Sequence, residues 1–191
     1  MTKKRCEWAF HSNLMKKYHD TEWGVPQHDD KVLFEFIVLE SVQAGLSWDT
    51  ILNKRENFRK AFDNFDYSII AKYTEEKIEN LLQNKGIIRN RLKIKSIITN
   101  ARSFLEIQKE FGTFDEYIWS FANRKPIVNS WSSLNEIPSN TELSEKISKD
   151  LKRRGFKFIG RTIIYAFMQA VGIVNDHTIY CFRHDEIKQK Y

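Results

Sequence analysis

The sequence predicts an all-α protein. Apolar residues return at helical spacing through most of the chain, and helix-capping residues stand where those stretches begin. No stretch keeps a period-two alternation for long, and no internal repeat interrupts the pattern.

Taken in order, Asp29 and Asp30 can cap a helix from about Lys31 to Ala44. Its apolar residues (Val32, Leu33, Phe34, Phe36, Ile37, Val38, Leu39) surround it, so it should be buried on most sides. Gly45 ends it, and Ser47 can cap a second helix, WDTILNKRENFRKAF. Thr74 caps TEEKIENLLQN, whose Glu75 and Glu76 lie where the helix dipole favours acids. An amphipathic stretch from Arg89 to Phe111 stops at Gly112, and TFDEYIWSFA is a further short helix. Asn123 to Ser139, with Pro126 and Pro138, reads as an extended connection. A helix through LSEKISKDLKRR stops at Gly155, and after GFKFIG another runs from near Arg161 to near Gly172.

At 191 residues the chain can build one sizeable core, or two small lobes sharing one. Its 41% hydrophobic and 14% aromatic content argues against disorder. A net charge of +6 favours a polyanionic partner such as nucleic acid. No apolar run approaches the ~20 residues that span a bilayer. MTKKRCEWAF has no apolar segment behind its basic residues, so no signal peptide is expected. The expected location is the cytoplasm, with Cys6 and Cys181 reduced.

Four features carry chemistry. His177 and Cys181 stand four apart, the spacing that puts two side chains on one helix face, and suggest half of a zinc site. Cys6 is the only other cysteine, and His11, His19 and His28 are all open by spacing as the fourth ligand. Glu40 lies in the most apolar helix, either at a solvent-facing edge or as a charge held in a pocket. Trp8, Tyr18, Trp23 and Trp48 are core residues or the flat walls of that pocket, which could hold a base swung out of a nucleic-acid stack. The turn Gly155 to Gly160, crowded by Lys149, Lys152, Arg153, Arg154, Lys157 and Arg161, opens a helix whose first amides can meet a phosphate.

Together these segments resemble the bacterial 3-methyladenine DNA glycosylase I family. The matching motifs are C-x-W (Cys6–Trp8), Y-H-D-x-E-W-G-V-P (Tyr18–Pro26), L-E (Leu39–Glu40) and Q-A-G-L-S-W (Gln43–Trp48). K-R-E-N (Lys54–Asn57), G-I-I-R (Gly86–Arg89), W-S-F (Trp119–Phe121) and R-G-F-K-F-I-G (Arg154–Gly160) follow, then F-M-Q-A (Phe167–Ala170) and V-N-D-H (Val174–His177). They run in order over about residues 5 to 181.

The resemblance implies a helix-hairpin-helix DNA glycosylase fold in a single unit over 1–191. Terminal segments 1–30 and 173–191 would be joined by one structural zinc on Cys6, His19, His177 and Cys181. The helical body, 31–172, would carry the hairpin at 155–160. The implied base pocket is Glu40 and Tyr18 as catalytic residues, with Trp48, Trp8 and Trp23 binding the base. Gly155, Lys157, Phe158, Gly160 and Arg161 would meet the DNA backbone. The implied activity is hydrolysis of the N-glycosidic bond of 3-methyladenine in double-stranded DNA, without lyase activity, by a monomer needing no nucleotide cofactor. The hairpin departs from the superfamily's L-P-G-I-G by placing Phe158 where glycine is usual. The superfamily's catalytic Asp is not expected here. Asp176 follows Gly160 by sixteen residues, and the expected role is to cap the helix carrying His177 or to buttress that ligand.

Overall fold

A computed structural model describes residues 3–191. Among them the chain forms ten α-helices and one minimal parallel ladder. After a 3-10 turn at Glu7–Phe10, helix α1 spans Asn13–Thr21 with Ser12 as its cap. Next come α2 (Asp30–Gln43), α3 (Trp48–Ala61), α4 (Tyr67–Ile70) and α5 (Glu75–Gln83). The long α6 (Arg91–Phe111) and short α7 (Phe114–Ser120) lead to strand β1, Ile127–Val128. Then α8 (Glu142–Arg153), α9 (Arg161–Ala170), strand β2 (Val174–Asn175) and α10 (Phe182–Lys190) complete the chain.

Asp29, Ser47 and Thr74 act as the caps the sequence predicts, each accepting from a first-turn amide of the helix it precedes, and Thr113 does the same for α7. Asp30 does a different job. It accepts from the amides of Phe114 and Asp115, so a residue of α2 caps α7 across the core. Every residue of α2 from Leu33 to Val42 is buried, which makes it the central helix.

Three expectations are corrected. The extended connection and the segment after Gly172 pair as a parallel ladder, Ile127 with Val174 and Val128 with Asn175. Two residues per strand are too few to leave an alternating pattern. His177 and Cys181 do not share a helix face: they flank a turn between β2 and α10, closed by Cys181 N–H donating to Thr178 O at 2.8 Å. Asp176 therefore caps no helix carrying His177.

The N-terminal segment crosses the end of α9 at backbone distance. Gly24 N–H donates to Gln169 O and Gln27 N–H to Val171 O, both at 3.0 Å. Gly172, at φ +73°, lies so close beneath that a Cβ would meet Pro26 N at 2.3 Å. A side chain cannot fit there. Among the described residues no helix is long and apolar enough to cross a membrane.

Candidate functional site

Two sites lie side by side at this crossing. The first is a cluster of four buried side chains, Cys6, His19, His177 and Cys181, whose ligand atoms all lie within 4.8 Å of one another. Cys181 Sγ is 3.3 Å from His19 Nε2 and 3.4 Å from His177 Nδ1, and Cys6 Sγ is 3.6 Å from His177 Nδ1. Both rings are oriented from behind. His19 Nδ1 donates to Asp20 Oδ1 at 2.8 Å, and His177 Nε2 donates to Trp23 O at 3.0 Å. Because a carboxylate and a carbonyl only accept, each ring's bare nitrogen faces the sulfurs. Arg5 in turn holds Asp20 through a forked pair.

This donor set fits a tetrahedral cation. Zinc–sulfur bonds of ~2.3 Å and zinc–nitrogen bonds of ~2.0–2.1 Å give tetrahedral edges of roughly 3.3–3.8 Å, and the three sulfur–nitrogen distances just given fall within that span. The two sulfurs share hydrogen-bonding and charge between them. Cys181 is driven well down by its hydrogen bond to Cys6, with help from His177 and His19. Cys6 is pushed up by the same hydrogen bond and by burial. A cation between them would let both ionise.

The second site is a cavity of about 380 Å³ lined by aromatic and apolar side chains, with Glu40, Gln43 and Gln169 in its wall. The crossing helices supply it. Tyr18 comes from α1, Glu40 from α2, Trp48 from the first turn of α3, Ala166 and Gln169 from α9. Trp8 and Trp23 meet edge to face at 5.0 Å, and Tyr18 is 5.6 Å from Trp48. Trp23 also contacts His177 at 4.6 Å, so the metal-type cluster and the cavity share a wall.

Glu40 is only 3% exposed, and its Oε2 has no hydrogen-bond partner. Trp48 Nε1 is likewise buried without a partner in hydrogen-bond geometry, although it lies near enough to the Tyr18 hydroxyl to act on it as a weak donor. Burial alone pushes the Glu40 carboxyl up to about 8, which at neutral pH favours its protonated form. Tyr18 is held well above its ordinary value by burial, with the charges of Glu40 and Glu22 adding to it.

A family comparison matches residues 8–184 to methyladenine glycosylase. The chain belongs to the methyladenine glycosylase family. DNA-3-methyladenine glycosylase 1 of Escherichia coli (strain K12) is 51% identical to it over 178 residues, 93% of this chain and 95% of the relative. A crystal structure of 3-methyladenine DNA glycosylase I aligns with a TM-score of 0.91 at 51% identity, over 94% of this chain and 98% of that one. The 3-methyladenine DNA glycosylase I of Staphylococcus aureus, solved to explain 3-methyladenine recognition, also aligns at 0.91. It is 34% identical, over 93% of this chain and 95% of that one.

In this methyladenine glycosylase chain, all five residues expected in the base pocket line one cavity, and all four expected metal ligands meet in one cluster. The hairpin residues join α8 to α9. Phe158 is 41% exposed and sits at φ +54°, the left-handed region where glycine is at home. Asn100 clamps the turn from α6, donating to Lys157 O at 3.1 Å and accepting from Lys157 N–H at 2.8 Å. No side chain caps α9, and Arg161 is exposed beside its first turn, 3.7 Å from Glu145.

Sequence reasoning missed several residues. Lys93 is 8% exposed and donates to Val42 O at 2.9 Å and Ala44 O at 2.7 Å, which ties down the end of α2 just after Glu40. Arg55, in the K-R-E-N motif, joins Glu35 of α2 at 2.5 Å to Glu22 at 2.6 Å, bracing α3 against the cavity wall. Leu46 is 37% exposed in the tight turn after Gly45. A single lysine or leucine carries no distinctive pattern in a sequence, whether the fold buries it, as it does Lys93, or exposes it, as it does Leu46. For Arg55 and Leu46 the surrounding motifs are the only signal.

Proposed function

We infer that the protein is a DNA repair glycosylase that hydrolyses the N-glycosidic bond of 3-methyladenine in alkylated DNA and leaves an abasic site. One observation carries the reading of the site: a flat, aromatic-walled cavity in which one acid oxygen and one indole N–H are buried without partners. Such orphans cost about 1–3 kcal/mol each, a cost a ligand with matching groups removes.

Adenine alkylated at N3 is cationic while joined to its sugar. Swung out of the stack, it would lie against Trp48 with cation–π gain, Trp8 and Trp23 closing the wall. Its charge and N–H groups favour the ionised form of Glu40, so the buried acid gives up its proton as the cation arrives. Tyr18, buried beside both, is a neutral phenol positioned to hydrogen-bond the base edge. The base then leaves neutral, and little further acid catalysis is required. On this reading the reaction is hydrolysis alone, and the strand is not cut.

The first amides of α9, with Gly155, Lys157, Phe158, Gly160 and Arg161, would grip the phosphate backbone of the duplex as a helix-hairpin-helix. Leu46 at its exposed turn would fill the gap left in the stack. Cys6, His19, His177 and Cys181 would hold one zinc, which supplies folding free energy and no step of the reaction. On this reading the chain works as a single unit and a monomer, in the cytoplasm, without a nucleotide cofactor. Titration with free 3-methyladenine tests the pocket: saturable quenching of tryptophan fluorescence is expected, and no quenching at millimolar base would overturn the reading.

A further inference from the structure

We propose that Gln169 determines specificity in the base cavity by presenting a fixed acceptor oxygen to the amino group of the bound base, and that Asp176 is the residue that positions it. This deepens the function proposed above and rests on it.

Asp176 is fully buried and accepts four hydrogen bonds. Asn129 Nδ2 and Trp131 Nε1 donate to its Oδ1 at 2.6 and 2.7 Å, while Tyr165 Oη and Gln169 Nε2 donate to its Oδ2 at 2.6 and 2.8 Å. Tyr165 and Gln169 are one helical turn apart on α9, so the carboxylate locks two side chains of one face. An amide has a donor side and an acceptor side. With its NH₂ committed to a carboxylate, Gln169 must turn its Oε1 the other way. Gln169 also lines the cavity that holds Glu40 and Trp48.

The consequence concerns which purines fit. An amide free to rotate accepts from one ligand and donates to another, so it discriminates poorly. Flipping Gln169 would set its oxygen against Asp176, leaving the carboxylate one donor short, and the pinned orientation is thereby enforced. A fixed oxygen rewards a purine with an amino group at its 6-position and repels one with a carbonyl there, where oxygen would face oxygen. Glu40 supplies a second acceptor in the same cavity, and a 6-amino group has two N–H bonds to give. Met15, Leu134, Ile137 and Ala166 cannot make that distinction, and among the described residues Gln43, the other amide in the wall, has no partner such as Asp176 to fix which end it presents. Specificity of this kind comes from the penalty on the wrong partner.

The experiment compares the binding of free 3-methyladenine and free 3-methylhypoxanthine, which differ at the 6-position, to the parent, Gln169→Met and Asp176→Asn proteins. Gln169→Met keeps the length of the side chain and leaves Asp176 three donors. It is expected to melt near the parent while the preference for 3-methyladenine narrows about 3- to 10-fold. Asp176→Asn, which can donate to a flipped Gln169, is expected to narrow it as well. A preference equal to the parent's in both variants overturns the inference, even if both melt lower, because a purely structural role lowers melting and leaves the ratio alone. A parent that binds neither base removes the proposed function itself, whereas a parent that binds 3-methyladenine with unchanged variant ratios removes only the role of Gln169.

Discussion

Glu40 Oε2 and Trp48 Nε1 are buried in the wall of one cavity, and neither has a hydrogen-bond partner. An unused acceptor and an unused donor buried in the same wall are a standing cost to the fold. Their retention makes sense if a bound base satisfies both.

The Glu40 carboxyl makes stability depend on pH with a definite sign. Its value rises from 4.5 to about 8 on burial, so between those limits the folded chain binds more protons than the unfolded one. Stability from this group therefore falls as pH rises through that window. Glu40→Gln removes the penalty: it should match the parent near pH 4.5 and exceed it by about 2–4 kcal/mol at pH 9. Urea unfolding of both proteins across pH checks this, and parallel curves would mean that Glu40 is not held in a dry site.

Removing metal should cost stability directly, since the unfolded chain has no preformed site. Chelation of the purified protein, Cys181→Ser and His19→Ala should each lower stability by about 3–5 kcal/mol, roughly 10 °C in a chain this size. Metal analysis should find one zinc per chain. A parent that contains none, and melts unchanged with chelator, contradicts the zinc assignment.

Binding to DNA should weaken steeply with salt. Lys157→Ala and Arg161→Ala should each reduce the slope of log affinity against log salt by about one unit if each side chain meets a phosphate. Slopes equal to the parent's in both would remove the hairpin from the interface.

Much of this arrangement is legible in the sequence, and the reasons are local. Ser47 and Thr74 announce α3 and α5 because capping is a contact within three residues. The four side chains that cluster as possible metal ligands and the aromatics that line the cavity are legible through their motifs. Helix α1, which carries Tyr18 and His19, went undelimited because it has few apolar residues to repeat: Leu14, Met15 and Tyr18 among polar neighbours. His177 and Cys181 show the limit of spacing, since a turn brings them together as well as a helix would. The role of Asp176 could not be read, because its four donors come from Asn129, Trp131, Tyr165 and Gln169, and only the fold collects them.

The most direct test of the central claim is to incubate the protein with methylated duplex DNA and identify the released base by chromatography, with Glu40→Gln in parallel. The parent should release 3-methyladenine without cutting the strand. Glu40→Gln, which loses the charge and turns donors toward a donor-rich edge, should bind the free base about 1–3 kcal/mol more weakly and release it more slowly, though not at zero rate. No 3-methyladenine from the parent, or release by Glu40→Gln as fast as by the parent with equal affinity, would contradict the account.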